Sequence, residues 1–267
     1  MIGRRKSIPR RVRLLIAELG LIIALVATSY VTHRQTALLA HAAPGPTVLP
    51  ELLGAPTPSG PTPTPGRAVA VPVTGGALIN PMRFSYEPDW YAPGVQKFLD
   101  GQPGPLKNLR VTIGDREHSF AEFLISQTSL YSLNPKVVLT LLEMQSHIIS
   151  SATPSSDQTD WAMGYHGENE HWRGTVPQAR WAMRELRRAV RDYAAPPDLV
   201  YADGSHSPVP GGLDVPQYAL TRVLAATVNP ADLPARLNGG PDSFVGTYTR
   251  LFGNGSAPPT DWPAPAA

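Results

Sequence analysis

NPKVVLTLLEMQSHIISS, residues 134–151, is the segment of this chain least compatible with a surface position. Asn134 suits a helix N-cap, and Pro135 suits the first turn, where a missing N–H costs nothing. The apolar residues that follow (Val137, Val138, Leu139, Leu141, Leu142, Met144 and Ile148) point in every direction around a 3.6-residue period. That pattern predicts a helix buried at the centre of a domain. Glu143 lies in its middle. A buried carboxylate is costly unless it is held by an arginine or by backbone N–H groups, or kept for chemistry, and both readings are open from sequence.

Outward from this helix, other starts and stops are legible. Ser119 with Glu122 forms a capping box ahead of the stripe Phe120, Phe123, Leu124, Leu130 and Tyr131. Leu109 to Ile113 alternates like a short strand and stops at Gly114-Asp115. A helix begins at Thr175-Val-Pro-Gln, with Ala182, Leu186, either Ala189 or Val190, and Tyr193 on one side and Arg180, Arg184, Arg187, Arg188 and Arg191 on the other. That arginine face is expected to be solvated. Asp214 with Gln217 caps a helix through Leu220, Val223, Leu224 and Val228, stopped by Asn229-Pro230, and a last helix runs from near Asp242 to Gly253. Between Ala152 and Arg173 a polar loop with no period is expected. Helices dominate, so the domain is mostly α.

The flanks are of a different kind. Residues 1–13 carry Arg4, Arg5, Lys6, Arg10, Arg11 and Arg13, followed by an apolar run at 14–31 broken only by Glu18 among its charges. A basic start before such a run predicts a cytoplasmic segment and a membrane helix, either a retained signal anchor or a cleaved signal peptide. Residues 32–79, with PTPSGPTPTPG at their centre, form a Pro/Thr/Gly-rich linker. The domain is expected at 80–254, with a disordered tail at 255–267. The expected location is the cell membrane, single-pass, with the domain extracytoplasmic, or secreted if the anchor is cleaved.

Of the 267 residues, 23 are basic and 21 acidic, a net charge of +2. Once the six N-terminal basic residues are set aside, 17 remain against 21 acids, so the basic balance is a topology signal and no nucleic-acid partner is expected. Cysteine is absent, which excludes disulfides, thiolate catalysis and cysteine metal sites. His166 and His171 bracket Glu168 and Glu170, yet the spacing is not that of a zinc helix, and no metal or other cofactor is expected. A monomer is expected.

Leu133-Asn-Pro-Lys-Val-Val-Leu-Thr-Leu-Leu-Glu-Met-Gln-Ser146 resembles the first catalytic motif of the lysozyme-like superfamily, the lytic transglycosylases and goose-type lysozymes. Ala162-Met-Gly-Tyr165 resembles the turn that follows it there, and Asn238-Gly-Gly-Pro241 loosely resembles a further loop. Blocks at Phe98-Leu-Asp-Gly-Gln-Pro-Gly104, Leu142-Glu-Met-Gln-Ser146, Gln178-Ala-Arg-Trp-Ala182, Tyr201-Ala-Asp-Gly204 and Tyr248-Thr-Arg-Leu-Phe-Gly253 are similar to lysozyme-like envelope domains of filamentous green non-sulfur bacteria, often joined to lysostaphin-type peptidases. The resemblance implies a lysozyme-like helical domain around a buried central helix. Its implied partner is peptidoglycan glycan, with cleavage by a lytic transglycosylase or muramidase as the associated activity.

One departure divides that reading. With Ser146 set on the superfamily's Glu-Ser pair, the acid position holds Gln145, and Glu143 lies about 200° away around a helix. Either Glu143 is the general acid, or the domain is a non-catalytic peptidoglycan-binding or scaffold module that has lost the acid. Gln145, Ser146, Trp161, Tyr165 and Gln178 are the expected substrate contacts. Trp161, Tyr165, Trp172 and Trp181 are candidate sugar platforms, Trp181 more in keeping with core packing. Asp157, Asp160, Glu168 and Glu170 are the loop acids from which hydrolysis would draw a second carboxylate.

Overall fold

The computed structural model describes residues 77–87, 90–167 and 170–259. The elements are α1 (Pro81–Ser85), α2 (Ala92–Asp100), a 3-10 turn (Pro105–Asn108), β1 (Arg110–Ile113), β2 (Arg116–Ser119), α3 (Phe120–Tyr131), α4 (Pro135–Ser146), α5 (Ser156–Asp160) and a 3-10 turn (Glu170–Trp172). They continue with α6 (Thr175–Asp192), β3 (Leu199–Val200), β4 (His206–Ser207), α7 (Val215–Ala225), α8 (Leu233–Asn238) and α9 (Phe244–Phe252). The two strand pairs are antiparallel two-stranded hairpins. The domain is mostly α, as the sequence leads one to expect. The expected membrane helix at 14–31 and the linker lie outside the described residues, among which no helix is long and apolar enough to cross a membrane.

α4 is the buried centre. Every residue from Pro135 to Met144 is buried, and Asn134 caps it by accepting from Lys136 N–H at 2.8 Å. Two polar residues in it are neutralised locally: Lys136 meets the Glu87 carboxylate and the Trp90 ring, and the Thr140 hydroxyl donates to the Lys136 carbonyl. α4 packs against α9, while α6 packs broadly on α7. Ser119/Glu122 and Asp214/Gln217 both form the expected capping boxes, and Asn80 starts α1 by the same Asn-Pro device as α4.

Three departures from the sequence reading have physical causes. α4 stops at Ser146, not Ser151, because His147 turns left-handed (φ 53°) and the Glu143 carboxylate takes the N–H groups of the next turn. The loop after it is not without period: Ser155 and Gln158 form a capping box and start α5. The tail does not begin at 255. Gly255 accepts from Asn80 N–H, and the carbonyls of Ala257 and Pro258 accept from Arg83, so these residues belong to the fold.

Candidate functional site

α4 presents Glu143 and Gln145 to different surroundings. Glu143 is fully buried. Its Oε2 accepts the N–H groups of Ile149 and Ser150, both at 3.1 Å, and its Oε1 accepts from Arg250 of α9 at 3.1 Å. The turn it holds is pressed against the Phe98–Gly104 block: Gly104 N–H donates to the Ile149 carbonyl, and a Cβ on Gly104 would come within 2.1 Å of the Ile148 carbonyl oxygen. Both expected kinds of partner, an arginine and backbone N–H groups, are therefore present at once. The geometry is that of an anchor for the turn and for α9.

Gln145, two residues on, is half-buried on the other side. Its Nε2 donates to the Thr227 hydroxyl at 2.9 Å, just beyond the end of α7. Its other flank is Gly164, in a left-handed turn (φ 71°), where a Cβ would stand only 3.3 Å from Gln145 Oε1. The backbone angle favours glycine there, and a side chain would also press on the Gln145 amide. The turn Ala162-Met-Gly-Tyr165 does meet Gln145, and two cavities open beside it. One of about 300 Å³ is lined by Tyr165, Trp181, Pro197, Val200 and Ala226 with Glu185, Asp198 and Arg222. The other, of about 380 Å³, is lined by Thr227, Val228, Asn229, Asp232 and Arg236. Ala226 and Thr227 are consecutive, so the cavities flank one point of the chain. The two cavities make up the candidate groove, and no α4 side chain lines either of them.

The remaining expected contacts divide. Tyr165 lines the groove and stacks flat on Trp181, with ring centroids 4.1 Å apart. Trp161 is half-buried and packs on His166, outside the cavity walls. Ser146 is buried and its hydroxyl donates to the Leu142 carbonyl, so it does not face the groove. Gln178 is also fully buried: its Oε1 accepts from Met163 and Tyr165 N–H, and its Nε2 donates to the Tyr165 and Trp172 carbonyls. All four positions of that amide are taken, and it acts as a clamp that shapes the 163–172 loop.

Among the loop acids, Asp160 and Glu170 both bind Arg173, Asp157 sits in the first turn of α5, and Glu168 lies outside the described residues. Among the described residues no three His, Asp or Glu side chains lie together in a way that would hold a metal ion. Of the arginine face, Arg184 lies over Trp172, Arg180 lies over Phe123, and Arg188 and Arg191 pair with Glu185 and Asp192. A larger cleft of about 570 Å³ lies between α2, the β1–β2 hairpin and α3. No aromatic side chain lines it, and three of its charged groups are engaged by neutral neighbours: Asp100 accepts from Gln96, Lys107 donates to the Gln102 carbonyl, and Glu122 caps α3.

Thr227, Arg250 and Arg222 are the site residues that sequence reasoning missed. Each contact is made across 30 or more positions, and nothing in the local pattern marks it.

A mostly helical domain around a buried central helix, with an aromatic-walled cavity beside α6 and α7, is the class defined so far. The chain belongs to the family described as LasA, N-terminal domain, whose family model matches residues 77–264. No curated protein and no solved structure matches it.

Proposed function

We propose that this domain is a cell-wall module that holds peptidoglycan glycan in the Tyr165–Trp181 groove without cutting it, tethered outside the cell membrane by residues 14–31. The observation that carries this reading is the state of the two α4 groups: the glutamate is sealed away with both oxygens engaged, and a glutamine, bonded to Thr227 at the cavity edge, stands where the lysozyme-like acid is expected. An amide has no proton to give a glycosidic oxygen, and a carboxylate that touches no open space cannot reach one. Of the acids in the cavity walls, Asp198 and Asp232 stand exposed, whereas glycosidic acids work from sheltered positions, and the sheltered Glu185 is paired with Arg188 and Arg222. The family supports the wall as partner, since its namesake is a peptidoglycan-cleaving protein. The lysozyme-like motif on α4 supports glycan as the bound part, with Tyr165 as a stacking face.

The test is sedimentation of the full chain, in mild detergent, with purified sacculi. The wild type is expected to pellet and to release no soluble fragments, and Tyr165→Ala, which removes the stacking face from the cavity wall, is expected to stay in solution while remaining folded. Failure to pellet, or release of muropeptides that Glu143→Gln abolishes, would overturn the reading.

A further inference from the structure

The N-terminal end of α4 carries a cavity of its own. It holds about 390 Å³, within the range of pockets that take small ligands, and Pro135, the first residue of α4, lies in its wall. Tyr86, Trp90 and Tyr91, which fall between α1 and α2 in the chain, line it. Tyr86 is 50% exposed and Tyr91 67%, so two aromatic rings of this wall meet water. Trp90 is held in place, edge-on to Phe252 at 5.2 Å and with the Lys136 ammonium 4.7 Å from its ring. The wall also carries Ser85, Ser129 and Ser132, whose hydroxyls have no hydrogen-bond partner among the described residues. Among those residues its one charged side chain is Glu87, and the fold occupies it: Asn134 Nδ2 donates to it at 3.1 Å, Arg83 at 3.3 Å, and Lys136 pairs with it.

These features select a ligand. A charged one finds no unpaired opposite charge here, which sets this cavity apart from the Tyr165–Trp181 one, whose wall carries Glu185, Asp198 and Arg222. An alkyl chain would leave three hydroxyls dry. A proline-rich chain lies well on aromatic rings but brings few donors for hydroxyl oxygens that accept. A neutral sugar brings both, an apolar C–H face for the tyrosine rings and hydroxyls that donate and accept beside the serines. We infer that this cavity is a second saccharide site, for a neutral pyranose seated on Tyr91, and that it works together with the Tyr165–Trp181 groove. The joint action rests on the groove being a wall-binding site. From Pro135 to Gln145, which the Gly164 turn flanks, α4 rises roughly 15 Å, so the two sites stand at opposite ends of one helix. Two weak sites on one domain reach the same sacculus, and the second contact forms at high effective concentration. Pelleting therefore needs both, while a soluble oligosaccharide reads each by itself.

Calorimetric titration of the full chain, in mild detergent, with N-acetylated chitotetraose tests the inference. The Tyr165→Ala chain, which keeps the second site alone, is expected to bind the sugar, and adding Tyr91→Ala to weaken that binding about ten-fold, the scale of losing one aromatic stacking face. Tyr91→Trp in its place is expected to restore it. Tyr91 is exposed and its side chain makes no capping bond at the start of α2, so these changes leave the fold intact, which circular dichroism checks. Tyr91→Ala alone is expected to leave the chain in solution with sacculi while the groove still binds the tetraose. The inference fails if the Tyr165→Ala chain does not bind the sugar, or binds it equally well after Tyr91→Ala, or if an oligoproline peptide takes the cavity in a Tyr91-dependent way and the sugar does not. In each of those cases wild-type chain that pellets with sacculi keeps the wall-binding reading standing. If the wild type does not pellet, that reading fails, and the Tyr91-dependent titration alone decides whether the cavity takes a sugar.

Discussion

Replacing Glu143 by glutamine separates an anchoring acid from a working one. The substitution keeps the shape and keeps an oxygen for the Ile149 and Ser150 N–H groups, but it puts an NH₂ where Oε1 accepts from Arg250. One charge-assisted hydrogen bond is lost and two become neutral. Hydrogen bonds to charged groups contribute about 1.5–3 kcal/mol and neutral ones about 1. Because Arg250 is 45% exposed and returns to water without much penalty, the lower part of that range applies to the ion pair. Relief from burying a carboxylate offsets a fraction more. The sum is a loss of about 2 kcal/mol, or roughly 4–8 °C in Tm for a domain of this size. Circular dichroism melts at neutral pH measure it directly. Acids held for chemistry are commonly replaced with no loss or with a gain in stability. A Glu143→Gln protein that melts at or above the wild-type temperature would therefore refute the anchoring account of this residue.

Two further outcomes follow from the same geometry. Gln178→Leu removes four hydrogen bonds that lace the 163–172 loop to α6, and is expected to make that loop cleavable by limited proteolysis while α4 and α7 stay protected. At acid pH, Asp192 is the group to watch: hydrogen bonds from Arg191 and then Arg222 hold its carboxyl down, from an ordinary 3.8 to about 2. A depressed folded-state value contributes stability that is complete above the unfolded-state value and lost as pH falls through the folded one. The melting difference between wild type and Asp192→Asn is therefore expected to be constant above pH 4 and to shrink between pH 4 and pH 2. A difference that grows as the pH falls would contradict the pairing.

Local chemistry was legible where one residue answers another within a turn. Asn134 with Pro135, Ser119 with Glu122, and Asp214 with Gln217 each announce a helix start, and each one forms. The same rule would have found α5 from Ser155 and Gln158, but its residues are polar and its single turn shows no apolar stripe. Where α4 ends was not legible. Ile148 and Ile149 continue the apolar pattern past the point at which Glu143 bends the chain back on itself. That Glu143 is costly could be read from its neighbours. That its cost is met by Arg250, 107 positions away, is a property of how α9 packs on α4. Likewise, the opposition of Glu143 and Gln145 follows from helical geometry, but which of them meets open space depends on Gly164 and Thr227 arriving from two other parts of the chain.

The central claim is that the groove binds wall glycan and does not cleave it. The measurement that meets it most directly is mass spectrometry of the supernatant and pellet after prolonged incubation of the full chain with purified sacculi. The account predicts wild-type protein in the pellet and no muropeptides above the no-protein control. Anhydro- or reducing-end muropeptides released by the wild type and absent with Glu143→Gln would contradict it.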